Sequence, residues 1–143
     1  MRVVVNRVEG SASPYEMRAV SEAGVHLSMD GSPAIGGIDA GFRPMETLLA
    51  GLAGCSGIDV LSILAKSRQK VAAFTVQVDA DRAETDPKVF TKIRIHFSLA
   101  GEVDEKRLKQ AVDLSMEKYC SVAAMLGKTA EISATWEIGR VPA

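Results

Sequence analysis

Cysteine, histidine and aromatic residues are all scarce: two cysteines, two histidines, one tryptophan, two tyrosines and four phenylalanines in 143 residues. Two cysteines are too few for a disulfide-stapled secreted scaffold, and in a reducing compartment they read as free thiols or a catalytic pair. At 5% aromatics there is little to stack on nucleobases. No Lys/Arg block supplies the basic face that a nucleic acid or an anionic membrane surface requires, and neither sign of charge is in excess, with 17 basic against 18 acidic residues. The opening MRVVVNRVEG has no unbroken apolar run, because Asn6, Arg7 and Glu9 interrupt it; no signal peptide is expected and the expected compartment is the cytoplasm. Internal repeats, low-complexity tracts and a visible domain boundary are missing too, so residues 1–143 are expected to form one domain with a real core.

What the chain does have is one long apolar stretch, Pro44 to Leu64, PMETLLAGLAGCSGIDVLSIL. It carries two charges, Glu46 and Asp59, and Cys55 lies near its middle. Proline suits the first turn of a helix, where its missing N–H would be unpaired in any case. Glu46, Asp59 and the hydroxyls of Thr47, Ser56, Ser62 and Ser67 favour a buried helix over a membrane span. Gly51, Gly54 and Gly57 recur every third residue. At about 100° per residue they lie roughly 40°, 100° and 160° to one side of Cys55, a smooth surface for close approach. A second helix, from the same chain or from a twin, would use that surface; so would an underlying sheet.

Around this helix the pattern is of strands. Arg2 to Val8 is β-branched, and Tyr15 to Glu22 and Val25 to Asp30 flank a glycine-containing turn of hairpin type. Gly31 to Gly41, with four glycines and a proline, reads as a flexible lid or connection; it lacks the Gly-Lys-Ser/Thr ending of a phosphate loop. Lys66, Arg68 and Lys70 close the helix. Phe74 to Ala80 and Ile93 to Leu99 alternate apolar and polar residues, as antiparallel strands with one wet face do. Asp104 is placed to cap a helix whose buried face is Leu108, Ala111, Val112, Ser115 and Tyr119 and which ends near Cys120. Ser121 is placed to cap a further short helix, and Ala130 to Ile138 alternates as a last strand.

Pro44 to Cys55, with a cysteine eleven residues after a proline in a small-residue helix, resembles the OsmC/Ohr family of osmotically induced and organic-hydroperoxide-resistance proteins. The second cysteine, 65 residues later in EKYCSVAAML, resembles it too, as does the order of elements over nearly the whole chain. CSGIDVLSILAKSRQ and AVDLSMEKYCSVA look closest to the YhfA-like branch. The resemblance implies an α+β fold in an intertwined homodimer, with antiparallel sheets from both chains wrapped around paired long helices. It also implies a thiol-dependent peroxidase without cofactor or metal, in which Cys55 attacks an organic hydroperoxide, Cys120 resolves the sulfenic acid as a disulfide, and an external dithiol restores both.

A free cysteine near pKa 8.5 is only a few per cent thiolate at neutral pH, so Cys55 needs help. Arg18, in Arg18-Ala19-Val20-Ser21, resembles the functional arginine of the hydroperoxide-resistance branch, and Arg43 is a second candidate cation. In that branch a glutamate directly after the helix-opening proline holds the arginine. Here Met45 takes that place, and Glu46 lies about 180° round the helix from Cys55, better suited to the helix dipole. Asp59 lies about 40° from Cys55 and one turn on; unpaired it disfavours the thiolate, and paired with an arginine it could take over the orienting role. Cys120 gains from the positive end of the short helix after it, or is a buried core thiol. His26, Cys55, His96 and Cys120 lack the short-range pairing of a metal site, so no metal is expected. Three functions stay open: a peroxidase, a small-ligand-binding or thiol-sensing protein of the same fold, and a structural dimer.

Overall fold

A computed structural model describes residues Met1–Gly139. The chain forms two compact units, Met1–Leu48 and a second that begins at Leu49. The division falls inside one helix, which is why no linker composition marks it.

In the first unit β1 (Val3–Arg7), β2 (Met17–Ser21) and β3 (His26–Met29) form an antiparallel sheet in that order. The β2–β3 turn is as the sequence predicts: Gly24 has φ 77°, a left-handed conformation that costs glycine little, and Ser21 N–H donates to the Val25 carbonyl at 3.0 Å. The segment from Gly31 to Gly41 corrects the expectation of a flexible lid. It is folded around the carboxylate of Asp30, which is 2% exposed. That carboxylate accepts from Ser13 Oγ at 2.6 Å and from the backbone N–H groups of Gly31 (2.7 Å), Ile38 (2.8 Å) and Ala40 (3.1 Å). These donors, the Ser13 hydroxyl foremost, hold the Asp30 carboxyl down at about 2. The turns close tightly: a Cβ on Gly37 would stand 2.0 Å from the Gly31 carbonyl oxygen.

Helix α1 runs from Pro44 to Lys66 with proline in its first turn, as expected. Glu46 accepts the Arg43 N–H at 2.8 Å, so its carboxylate satisfies a free donor at the helix start. Lys66 is the last helical residue; Arg68 takes φ 60° and the Gln69 N–H returns to the Leu64 carbonyl at 3.0 Å. Lys70 already belongs to the next strand, which narrows the expected basic helix end to Lys66.

In the second unit β4 (Lys70–Arg82) and β5 (Phe90–Glu102) form a long antiparallel hairpin, extending the predicted strands at both ends. β6 (Glu131–Ile138) pairs with β5 in parallel, a correction to the expectation of wholly antiparallel sheets. The reason is the connection: two helical segments separate β5 from β6, and a crossover of that length returns the chain to the end of the sheet from which β5 began. One face of β5, Ile93, Ile95, Phe97 and Leu99, is buried, as are Leu52, Val60 and Leu64 of α1 and Leu108. Each such side chain contributes about 1.5–3 kcal/mol when buried.

Gly57 meets β4 side chains, Phe74 at 3.1 Å and Val76 at 3.3 Å from where its Cβ would be, so this glycine serves helix–sheet packing. Among the described residues, nothing lies within 4 Å of the corresponding positions at Gly51 and Gly54.

Helix α2 (Glu105–Leu114) is capped by Asp104, whose carboxylate accepts the Arg107 N–H at 3.0 Å. It does not run unchanged to Cys120. Ser115–Tyr119 form one wider π turn, closed by Cys120 N–H to the Ser115 carbonyl at 2.8 Å. The extra residue per turn keeps Ser115 buried and turns Tyr119 outward to 51% exposure, against its predicted place on the buried face. Helix α3 (Ser121–Leu126) follows at once, and its cap is Cys120 rather than the predicted Ser121.

Candidate thiol site

The site lies entirely in the second unit, where the middle of α1 meets the junction between the π turn and α3. Cys55 and Asp59 stand one turn apart on α1 and share a face. Cys120 sits between the π turn and α3, 2% exposed. The two sulfurs and a carboxylate oxygen of Asp59 all lie within 4.8 Å of one another. Both cysteines are free thiols, Cys55 half-buried and Cys120 buried.

The two thiols are pushed in opposite directions. Cys55 is lowered from its ordinary value, chiefly by the Val122 backbone N–H; burial opposes this, and the Cys120 thiol, the Ser121 hydroxyl and the Ser121 N–H add to the lowering. The Ser121 Oγ is 3.9 Å from the Cys55 sulfur. Cys120 is pushed up to about 11, first by burial and further by the neighbouring Cys55 sulfur, against the Ala123 N–H that donates to its Sγ at 3.4 Å. The first turn of α3 therefore serves both sulfurs, but its net benefit falls on Cys55, not on Cys120 as the sequence suggested. The bias makes Cys55 the more readily ionised of the two thiols, the order that nucleophilic attack followed by disulfide formation requires.

Asp59 has a partner, and it is not an arginine. The buried Ser115 hydroxyl lies 3.2 Å from its carboxylate and 3.3 Å from the Ser56 carbonyl. Ser115, the Val122 amide and Ser121 are the site groups that sequence reasoning missed. The available signal was Ser115 itself, a hydroxyl on the apolar face of α2; the amide carries no side-chain signal at all.

Arg18, Arg43 and Glu46 belong to the first unit. Arg18 is exposed near the start of β2, opposite Asn6 and Ser28. The Arg43 guanidinium donates to the Gly31 carbonyl at 2.8 Å and pairs with Asp39. With Glu46 on the Arg43 N–H, this ties the glycine-rich segment to the helix start. His26 lies in β3 of the first unit, and His96 in β5 has its Nδ1 2.7 Å from the Thr135 hydroxyl.

A two-thiol site on a long helix, flanked by a β-hairpin with a parallel third strand, defines a class of α+β thiol protein. The chain belongs to the OsmC-like protein family, whose model matches residues 36–135. Among its relatives is Protein YhfA of Escherichia coli K12, 42% identical over 119 residues that cover 82% of this chain and 86% of that protein. This supports the YhfA-like branch. A hypothetical protein from Aquifex aeolicus superposes with TM-score 0.82 at 33% identity, over 96% of this chain and 95% of that one. An organic hydroperoxide resistance protein from Legionella pneumophila shares the fold at TM-score 0.68 and 14% identity, over 96% and 97% of the two chains.

Proposed function

We propose that the protein is a cytoplasmic, homodimeric thiol peroxidase that reduces small organic hydroperoxides. The observation that carries this reading is the pair of free thiols whose sulfurs lie within 4.8 Å of each other, with Cys55 lowered and Cys120 raised. The Cys55 thiolate attacks the outer peroxide oxygen; the O–O bond breaks, the alcohol leaves with a proton, and a sulfenic acid forms. The Cys120 thiol, deprotonated as it attacks, displaces that oxygen as water and forms the disulfide. A dithiol reductant then restores both thiols. The half-buried setting of Cys55 suits a small apolar peroxide.

The homodimer reading is supported by the face that α1 leaves open. Gly51 and Gly54 meet nothing within 4 Å, and Ile58 beside them is 70% exposed. α1 also has the length and hydropathy to cross a membrane, but Cys55 and Asp59 lie on it and a second copy of the helix accounts for the small-residue surface.

The test is consumption of cumene hydroperoxide and of hydrogen peroxide, each with a dithiol and with a monothiol reductant. Faster turnover of the organic peroxide with the dithiol, lost in Cys55→Ser, is expected. Equal slow consumption by wild type and Cys55→Ser would rule out the peroxidase and leave the second reading, a ligand-binding or thiol-sensing protein.

A further inference from the structure

The same three side chains carry a second chemistry. Cys55 and Asp59 project from one face of α1, Cys120 meets them from the start of α3, and their donor atoms fall within 4.8 Å of one another. A tetrahedral zinc ion, at about 2.3 Å from sulfur and about 2.0–2.2 Å from a carboxylate oxygen, holds its ligands roughly 3.5–3.8 Å apart. A small inward movement of three side chains meets that geometry. The expectation of no metal considered histidines as the partners of the cysteines; the fold supplies a carboxylate instead.

We propose that the reduced protein binds one thiophilic divalent cation, of the zinc type, through Cys55, Asp59 and Cys120, with water in the fourth position. Two thiolates and one carboxylate match the ligand preferences of zinc, and the ion enters as the thiol protons leave to solvent. Asp59 is already oriented for this by the Ser115 hydroxyl 3.2 Å away, the outer-shell support that fixes a ligating carboxylate. Half-buried Cys55 and Asp59 give the ion a way in, while buried Cys120 closes the far side. Formation of the Cys55–Cys120 disulfide by a peroxide would consume both sulfur ligands, so the metal is held only by the dithiol form.

The experiment is a Zn²⁺ titration of the reduced full-length protein against a chromophoric chelator, repeated with Co²⁺ to read thiolate-to-metal charge-transfer absorption. One metal per chain is expected, with tight binding lost in Cys55→Ser and in Cys120→Ser and weakened at least tenfold in Asp59→Asn. Co²⁺ absorption should fall by about half when one of two thiolates is removed. No binding by the wild type, or affinity unchanged in Asp59→Asn and Cys120→Ser, overturns the site. The inference holds whether or not the thiols turn over peroxide. Hydroperoxide turnover of chelator-treated protein separates the two: turnover without metal binding removes the metal site alone, and metal binding without turnover removes the peroxidase alone.

Discussion

The Cys55 sulfur, at the middle of α1, lies 3.9 Å from the Ser121 hydroxyl in the first turn of α3, where the Val122 backbone N–H is the largest influence that lowers this thiol. Side-chain substitution cannot delete that amide, so its effect is read through titration. In Cys120→Ser, Cys55 should react with iodoacetamide along a pH profile whose midpoint lies at lower pH than that of Cys120 in Cys55→Ser. In Cys55→Ser, Cys120 should stay unreactive well past pH 9, since burial raises it. Mass-spectrometric counting of alkylated sites against pH checks both. The reverse order, Cys120 reacting first, contradicts the assignment of nucleophile and resolving thiol.

Ser115→Ala removes a buried hydroxyl shared by Asp59 and the Ser56 carbonyl. Leaving a buried acceptor unsatisfied costs about 1–3 kcal/mol, which urea denaturation should register. The alkylation rate of Cys55 should fall as well, because a carboxylate released from its partner stands nearer in effect to the thiolate. Ser115→Thr, which keeps the hydroxyl, should restore the rate.

Ser13→Ala should destabilise the first unit by about 2 kcal/mol at neutral pH, the range for a hydrogen bond to a charged group. The sign of the pH dependence follows from Asp30, whose folded carboxyl is held at about 2 against an ordinary 3.8. Its stabilising effect is complete above the ordinary value and is lost as pH falls through about 2. The gap between wild type and Ser13→Ala in thermal unfolding should therefore be constant from pH 7 to about pH 4 and shrink below that.

Gly54→Ala and Ile58→Glu address the open face of α1. Within one chain Gly54→Ala meets no atom and gains about 1 kcal/mol of helix propensity. Against a second helix at the same surface the added methyl is crowding. Sedimentation equilibrium should find a dimer for wild type, a weakened one for Gly54→Ala and a monomer for Ile58→Glu. Wild-type monomer at micromolar concentration contradicts the homodimer.

How far the sequence reaches depends on how local the cause is. The β2–β3 turn, the Pro44 start and the Asp104 cap are each written within a few residues, and all three stand as read. Cys55 and Cys120, 65 residues apart, could be paired only through resemblance to a family, and the fold does bring their sulfurs together. What could not be read is what depends on distant backbone. Asp30 gathers donors from Ser13 and from Ile38 and Ala40, so a glycine-rich stretch that reads as loose is held at its centre. The π turn at Ser115–Tyr119 adds one residue to a helical period and reverses the prediction for Tyr119 while leaving Ser115 in place. The parallel direction of β6 is set by the crossover before it, which strand alternation does not encode.

The most direct test of the account is a single-turnover oxidation: one equivalent of cumene hydroperoxide added to reduced protein, followed by a sulfenic-acid trap, alkylation and peptide mapping. The predicted result is a Cys55–Cys120 disulfide in wild type, a trapped sulfenic acid on Cys55 in Cys120→Ser, and no oxidation in Cys55→Ser. Consumption of the peroxide with Cys55 left alkylatable, or first oxidation at Cys120, would contradict it.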